Sequence, residues 1–412
     1  MCGLHLRDLR PYHWRDSQER PFVTYRSGRH FLQIPGPSNV PDRVLRAMDR
    51  PTIDHRGPAF AELTREVLTG LREVFGTTSH VVIYPASGSG AWEAALVNTL
   101  SAGDKVLAFD QGYFALGWAR VAARMGLEVE LVPWDWRRGL DPAVVEERLA
   151  ADRSHQVKAV LVVHNETSSG VTNDLAGVRR VLDRLQHPAL LMVDTVSSLG
   201  SIDYRHDEWR VDVTVAGSQK GLMLPPGLSF NAISEKAWRA RGAAKLPRSY
   251  WSWDDMVEFN ATGYFPSTPA TNLLFGLREA LAMLREEGLP NTFARHRRLA
   301  GATRAAVAAW GLEVFALNPA EQSNTVTTVL LPSGTDAEAV RRVALERYDL
   351  SLGAGLGKLK GQVFRIGHLG DLNELMLAGA LCGVEMALHA ARVSIRRGGV
   401  QAALDQLISG GD

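Results

Sequence analysis

The sequence predicts an α/β protein: a mostly parallel central sheet covered on both faces by helices, followed by a smaller carboxyl-terminal α/β domain. Three observations carry this expectation. Short, nearly continuous apolar runs recur at 80–84, 105–109, 128–132, 157–163, 189–193 and 211–215. Between them lie stretches with apolar residues at helical spacing, such as Leu63, Val67, Leu68, Leu71, Val74 and Phe75. Strands apolar throughout, alternating with helices, mark a sheet buried on both faces. Finally, 412 residues suffice for two domains rather than one.

In order along the chain, residues 1–30 show no clear period and read as an amino-terminal extension. Pro35 and Pro37 flank Gly36 and force a stiff turn. Pro41 starts a short helix through Met48, and a longer helix spans 61–75. After the strand at 80–84 comes the turn Pro85-Ala86-Ser87-Gly88-Ser89-Gly90, then a helix from about Ala91 to Leu100. Further helices are expected at 116–125, 141–151 and 174–186, between the strands above. Residues 238–265 have no steady period. Tyr250, Trp251, Trp253 and Tyr264 there suit a lid, a subunit contact or plain core filling. Long helices at 270–287 and 293–310 lead to strands at 325–331 and 361–366 and helices at 337–348 and 374–390. The expected division is an extension over 1–30, a large domain over 31–285 and a small domain over 286–412.

Composition narrows the function classes. The chain carries 46 basic and 45 acidic side chains, a net charge of +1, which gives no support to attraction by nucleic acid or an anionic membrane. No segment has the length and apolarity of a membrane span, and no apolar signal-peptide core opens the chain. Cys2 and Cys382, the only cysteines, are not spaced as a disulfide framework or a metal site. The 12 histidines are scattered, which argues against a metal centre. A cytoplasmic protein is the expectation.

Two residues suggest chemistry. Lys220 follows the β run Val215-Ala216-Gly217, and Asp194 ends the apolar run Ala189–Val193. Pyridoxal phosphate needs both types: an amine to hold its aldehyde and an anion to keep its pyridine nitrogen protonated. Each has a plainer reading, Lys220 as a solvent-facing loop lysine and Asp194 as a cap on the turn at Thr195 and Ser197. Ser87, Gly88 and Ser89 between strand and helix make an anion cradle. The Gly-x-Gly-x-x-Gly spacing of a dinucleotide site is missing there. Arg365, inside an apolar strand, is either a clamp for a substrate carboxylate or half of an internal salt bridge. His55 and Arg56 serve closure of a site or simply a polar turn.

Taken together, Ile34–Pro41, Asp54-His55-Arg56, His164–Val171, Asp194–Ser198, Gly217–Gly221 and Phe364–Gly367 resemble the class V aminotransferases of the serine:glyoxylate and alanine:glyoxylate group, over about residues 31–395. The resemblance implies the type I pyridoxal-phosphate fold and a transaminase. By motif, Lys220 resembles the lysine that carries the cofactor and Asp194 the carboxylate at the ring nitrogen. Ser87, Gly88, Ser89 and Gln219 resemble the phosphate ligands, and Thr167 the hydroxyl beside the phenolic oxygen. Arg365 resembles the substrate-carboxylate arginine, with Pro35 and Gly36 in the substrate loop. The ring-stacking aromatic, often tryptophan in the family, is Phe114 or, one register over, Tyr113. Tyr264 and Thr268 fall where the family places partner-chain phosphate contacts, which implies a homodimer with shared sites. The implied reaction moves an amino group from L-serine to glyoxylate, giving hydroxypyruvate and glycine, with aspartate or alanine as alternative donors. Cysteine desulfuration on the same fold would need a cysteine at the site. A non-catalytic cofactor-binding regulator would need a recognition domain that the chain has no room for.

Overall fold

The computed structural model describes residues 27–409. A short amino-terminal unit ends at His30, and the second unit, which holds every element named below, begins at Phe31. The expectation for residues 1–30 falls almost wholly outside the described residues.

Strand β1 (Phe31–Gln33) opens the second unit, followed by β2 (His80–Tyr84), β3 (Lys105–Phe109), β4 (Glu128–Val132) and β5 (Val157–Val163). Two short strands, β6 (Asn165–Glu166) and β7 (Val171–Thr172), make a separate ribbon. Then come β8 (Leu190–Asp194), β9 (Val213–Gly217), β10 (Ser229–Ile233), β11 (Glu313–Val314), β12 (Val326–Leu330), β13 (Leu350–Ala354) and β14 (Val363–Gly367).

The large sheet has the order β2-β10-β9-β8-β5-β3-β4. Its pairs from β9 to β4 are parallel, whereas β10 runs antiparallel to both β2 and β9. Sequence reading missed β10, because Ser229 and Asn231 interrupt its apolar run. Both polar residues are buried, and Asn231 Nδ2 donates to the Ala91 carbonyl at 3.2 Å. The smaller sheet has the order β1-β13-β14-β12-β11, so the first strand of the unit closes a sheet otherwise built from its last third. β1 and β13 escaped the sequence reading because β1 is only three residues long and Ser351 and Gly353 interrupt the apolar run of β13.

The first four helices are α1 (Asp42–Met48), α2 (Pro58–Phe75), α3 (Gly88–Thr99) and α4 (Tyr113–Arg124), and of these α3 and α4 line the site. Three start earlier than periodicity suggests, α2 at Pro58 among them. α3 begins at Gly88, so the glycine-serine turn is its first turn, and α4 begins at Tyr113, so both candidate stacking rings sit at its amino terminus.

One hydrophobic cluster, from Val44 to Leu284, surrounds the large sheet, and a second, from Leu299 to Leu407, surrounds the small one. The aromatic segment before 265 divides its labour. Trp253, at the start of the helix Trp253–Thr262, is fully buried in the large core with its indole N–H on Asn231, while Tyr250 and Phe259 are exposed. Truncating a tryptophan buried like Trp253 costs about 3–5 kcal/mol. Among the described residues no helix is long and apolar enough to cross a membrane.

Candidate active site

Loops at the carboxyl ends of parallel strands collect ligands in sheets of this kind. Here the ends of β2, β5, β8 and β9 converge on a cavity of about 350 Å³. It is lined by Ser87, Gly88, Ser89, Phe114, Thr167, Asp194, Gln219 and Lys220, so eight of the sequence-selected residues meet in one place. Tyr113 lines it too, its ring edge-on to Phe114 at 5.6 Å.

Lys220 lies just past β9. Its side chain is buried and its Nζ donates to the Pro35 carbonyl. The segment carrying Pro35 is fastened over it: Ser38 N donates to the Gln219 carbonyl at 3.0 Å and Ser38 Oγ to the Lys220 carbonyl at 2.9 Å. Gly36, at φ +90°, fits here because a Cβ would stand 2.2 Å from Lys220 Cδ. Burial, with the nearby Arg365 charge, lowers the lysine to about 7, although Asp194 pulls the other way. The plainer reading of Lys220 as a solvent-facing residue is thereby overturned.

Asp194 ends β8 and is also buried, and burial pushes its carboxyl up to about 7. Oδ1 accepts from the Val196 N–H at 2.7 Å, so the capping reading holds as well, and Oδ2 accepts from Trp92 Nε1 at 2.7 Å. The two shifts run against the mutual attraction of lysine and carboxylate, because loss of water outweighs it for both groups.

Ser87, also on the cavity, occupies the N-cap position of α3 without a side-chain capping bond, and its Oγ lies 2.7 Å from Ser89 Oγ. Free N–H groups of a first helical turn, flanked by two hydroxyls, suit an anion. Gln219 Oε1 is buried without a partner at this cavity, a group awaiting a ligand or water.

Arg365 comes from β14 of the small sheet and is buried, and burial lowers its guanidinium to about 10. Its partners are main-chain carbonyls, Ala354 O at 2.7 Å and Thr167 O at 2.9 Å, rather than a carboxylate. The internal salt bridge considered from sequence is therefore not what holds it. Tyr264 and Thr268 lie outside the cavity lining, between the helices Trp253–Thr262 and Thr271–Glu287, and Thr268 is exposed. Asp54-His55-Arg56 forms a turn in which Asp54 Oδ1 accepts the Arg56 N–H, also away from the cavity lining. Cys382 stands exposed on the helix Glu374–Ala390, and no cysteine lines the cavity among the described residues.

Sequence reasoning gave no role to three residues. Trp92 lines the cavity one turn after Ser89, a spacing that places both on one face of α3. Arg120 lines it from α4. Glu166 is fully buried and accepts hydrogen bonds from the N–H groups of Phe114 and Ala115 at 3.2 and 3.1 Å, thereby capping α4. Gly112 is a glycine because a Cβ there would stand 2.3 Å from Glu166 Cγ.

A buried amine, a buried carboxylate, an anion cradle and aromatic rings line one cavity. That donor set and volume fit pyridoxal phosphate, a flat ring bearing an aldehyde, a basic nitrogen and one phosphate.

Comparison with known proteins agrees. Residues 30–358 match the family described as Aminotransferase class-V. The chain is 50% identical over 392 residues to a serine--glyoxylate aminotransferase of Methylorubrum extorquens, covering 93% of this chain and 98% of that protein. It is 46% identical over 372 residues to an L-aspartate--glyoxylate aminotransferase of Paracoccus denitrificans, covering 90% and 94%. Among solved structures, pyridoxamine-pyruvate aminotransferase from Mesorhizobium loti superposes with a TM-score of 0.87 at 30% identity, over 92% of this chain and 97% of that one. The chain belongs to the class-V aminotransferase family and is a pyridoxal-phosphate-dependent transaminase.

Proposed function

We propose that this transaminase moves the amino group of L-serine to glyoxylate, releasing hydroxypyruvate and glycine. The observation that carries the reading at the site is the buried pair Lys220 and Asp194 on one cavity. The 50% identity to a serine--glyoxylate aminotransferase supports the donor. Aspartate is the second reading, supported by the 46% identity to an L-aspartate--glyoxylate aminotransferase.

Bound pyridoxal phosphate supplies an electrophilic carbon for the donor amine and a cationic ring that accepts the electron pair left by the departing α-proton. Every other task falls to the chain. Lys220, neutral for part of the time near pH 7 because burial opposes its charge, would carry the cofactor at rest, take the proton from the donor α-carbon and deliver it to the carbon that had been the cofactor's aldehyde. Asp194 faces the ring nitrogen as an anion and holds a proton there. Ser87, Gly88, Ser89 and Gln219 bind the phosphate. Phe114 stacks on the ring, with Tyr113 as the neighbouring alternative, and Thr167 bonds the phenolic oxygen. Arg365, held in place by two carbonyls, clamps the donor carboxylate, beside Pro35 and Gly36.

Two chains pair so that Tyr264 and Thr268 reach the phosphate of the partner subunit's cofactor. Their position outside the cavity of their own chain supports this. The two hydrophobic clusters support a large domain over 31–285 and a small one over 286–412. The near-neutral surface and lone cysteines support a cytoplasmic location.

Single-turnover mixing of the holoenzyme with serine, aspartate or alanine, followed by glyoxylate, tests the reading. Serine should convert the band near roughly 400–430 nm to one near 330 nm fastest, and glyoxylate should restore it. Faster conversion by aspartate would transfer the assignment to that donor, and no conversion by any of the three would end it.

A further inference from the structure

We propose that Trp92 is a positioning residue: its indole N–H, donated to Asp194 Oδ2, orients that carboxylate toward the cofactor's ring nitrogen and favours its ionised form. The inference rests on the reading that Asp194 faces the nitrogen, and adds to it the group that makes this possible.

The geometry points this way on three counts. First, each carboxylate oxygen of Asp194 accepts one short bond, from Val196 N–H at 2.7 Å and from Trp92 Nε1 at 2.7 Å. Two donors on two oxygens fix the carboxylate plane and leave further lone pairs for the cavity. Second, the indole is itself held. Trp118 stacks on it with ring centres 6.1 Å apart and planes 12° from parallel, and Gly117 leaves room where a Cβ would stand 3.3 Å from the Trp92 ring. Third, Trp92 belongs to the first turns of α3, whose start carries Ser87, Gly88 and Ser89. One rigid helix therefore sets both the phosphate cradle and the carboxylate, and with them the span between the two ends of the cofactor.

The charged groups around Asp194 are Glu166, which opposes its ionisation, and Lys220, which favours it. Burial is the largest influence and drives the carboxyl up, so a donor on Oδ2 acts against the dominant force. An indole N–H does this without adding a charge or an acceptor.

The test uses holoenzyme loaded with pyridoxal phosphate carrying ¹⁵N in the ring, whose shift reports protonation of the nitrogen as pH is varied. Native protein is compared with Trp92→Phe, Trp118→Phe and Asp194→Asn. Trp118 Nε1 is buried without a partner, so its replacement removes an equivalent indole N–H from the same stack without removing a bond to Asp194. Trp118→Phe should titrate as the native protein does. Trp92→Phe should lose the ring proton about one pH unit lower, a roughly tenfold weaker hold, and Asp194→Asn should lose it lower still. If Trp92→Phe follows the native curve while Asp194→Asn departs from it, the inference fails and the role of Asp194 stands. If Asp194→Asn also follows the native curve, both fail. Should Trp92→Phe not retain cofactor, ¹⁵N-indole labelling of the native holoenzyme decides: the Trp92 Nε1–H signal should exchange slowly and move on Asp194→Asn, and an unmoved signal overturns the proposal.

Discussion

Two buried carboxylates, Glu166 just past β5 and Asp194 at the end of the neighbouring β8, serve opposite ends. Burial raises both above the ordinary carboxylate range. Glu166 accepts from Phe114 N–H, Ala115 N–H, Ser168 N–H and Ser168 Oγ, all within its own fold. An ionised carboxylate has about four acceptor sites, so Glu166 has little left to offer. Asp194 accepts two such bonds and lines the cavity. A saturated carboxylate holds the protein together; a half-saturated one is reserved for something that arrives.

The difference can be broken most forcefully by Asp194→Asn. Turnover of the holoenzyme should fall about 10³-fold, while the protein without cofactor should unfold in urea no earlier than the native chain; early unfolding would make Asp194 as structural as Glu166. Glu166→Gln should invert that pattern. An amide nitrogen would face donors where an oxygen was, costing about 3 kcal/mol in urea unfolding and only about tenfold in turnover through a displaced Phe114.

The contrast also has a pH signature. With a folded value of about 7 against about 3.9 unfolded, Asp194 contributes its stability fully below the unfolded value and loses it as pH rises through 7. Lys220, lowered to about 7, does the reverse: its contribution is complete above its unfolded value of about 10.4 and is lost as pH falls through 7. The stability advantage of Asp194→Asn over the native apoprotein should therefore grow by roughly 3 kcal/mol between pH 4 and 7 and then level off. Urea midpoints at four pH values measure it, and a constant difference would contradict the raised carboxyl. The smallest expected effect lies at the start of α3, where Ser89→Ala removes one exposed hydroxyl. Cofactor retention in equilibrium dialysis should weaken by about 1 kcal/mol, roughly fivefold.

Much of this was legible in the residues. Lys220, Asp194, Ser87–Ser89 and Arg365 announce themselves because each is a polar type at a strand end or inside an apolar run, where a bland role is expensive. Strands such as 157–163 were legible because burial on both faces leaves an unbroken apolar run. Glu166 and Trp92 were not. Their importance lies in which N–H meets which oxygen across 51 and 102 residues of chain, and no periodicity encodes that. β10 was hidden for a related reason, its Asn231 and Ser229 being polar yet buried. Trp253 showed only that an aromatic was present, and packing decided that it belonged to the core.

The strand Phe31–Gln33 zips onto the edge of the small sheet, and a few residues later the same stretch of chain is fastened to the main chain of Gln219 and Lys220 in the large one. This segment works as a seam. A protease nick or a fusion junction placed between Gln33 and Ser38 should silence the enzyme with every reactive group untouched. Limited digestion with mass measurement would show loss of turnover keeping pace with cutting there, and anyone shortening the protein should begin upstream of Phe31.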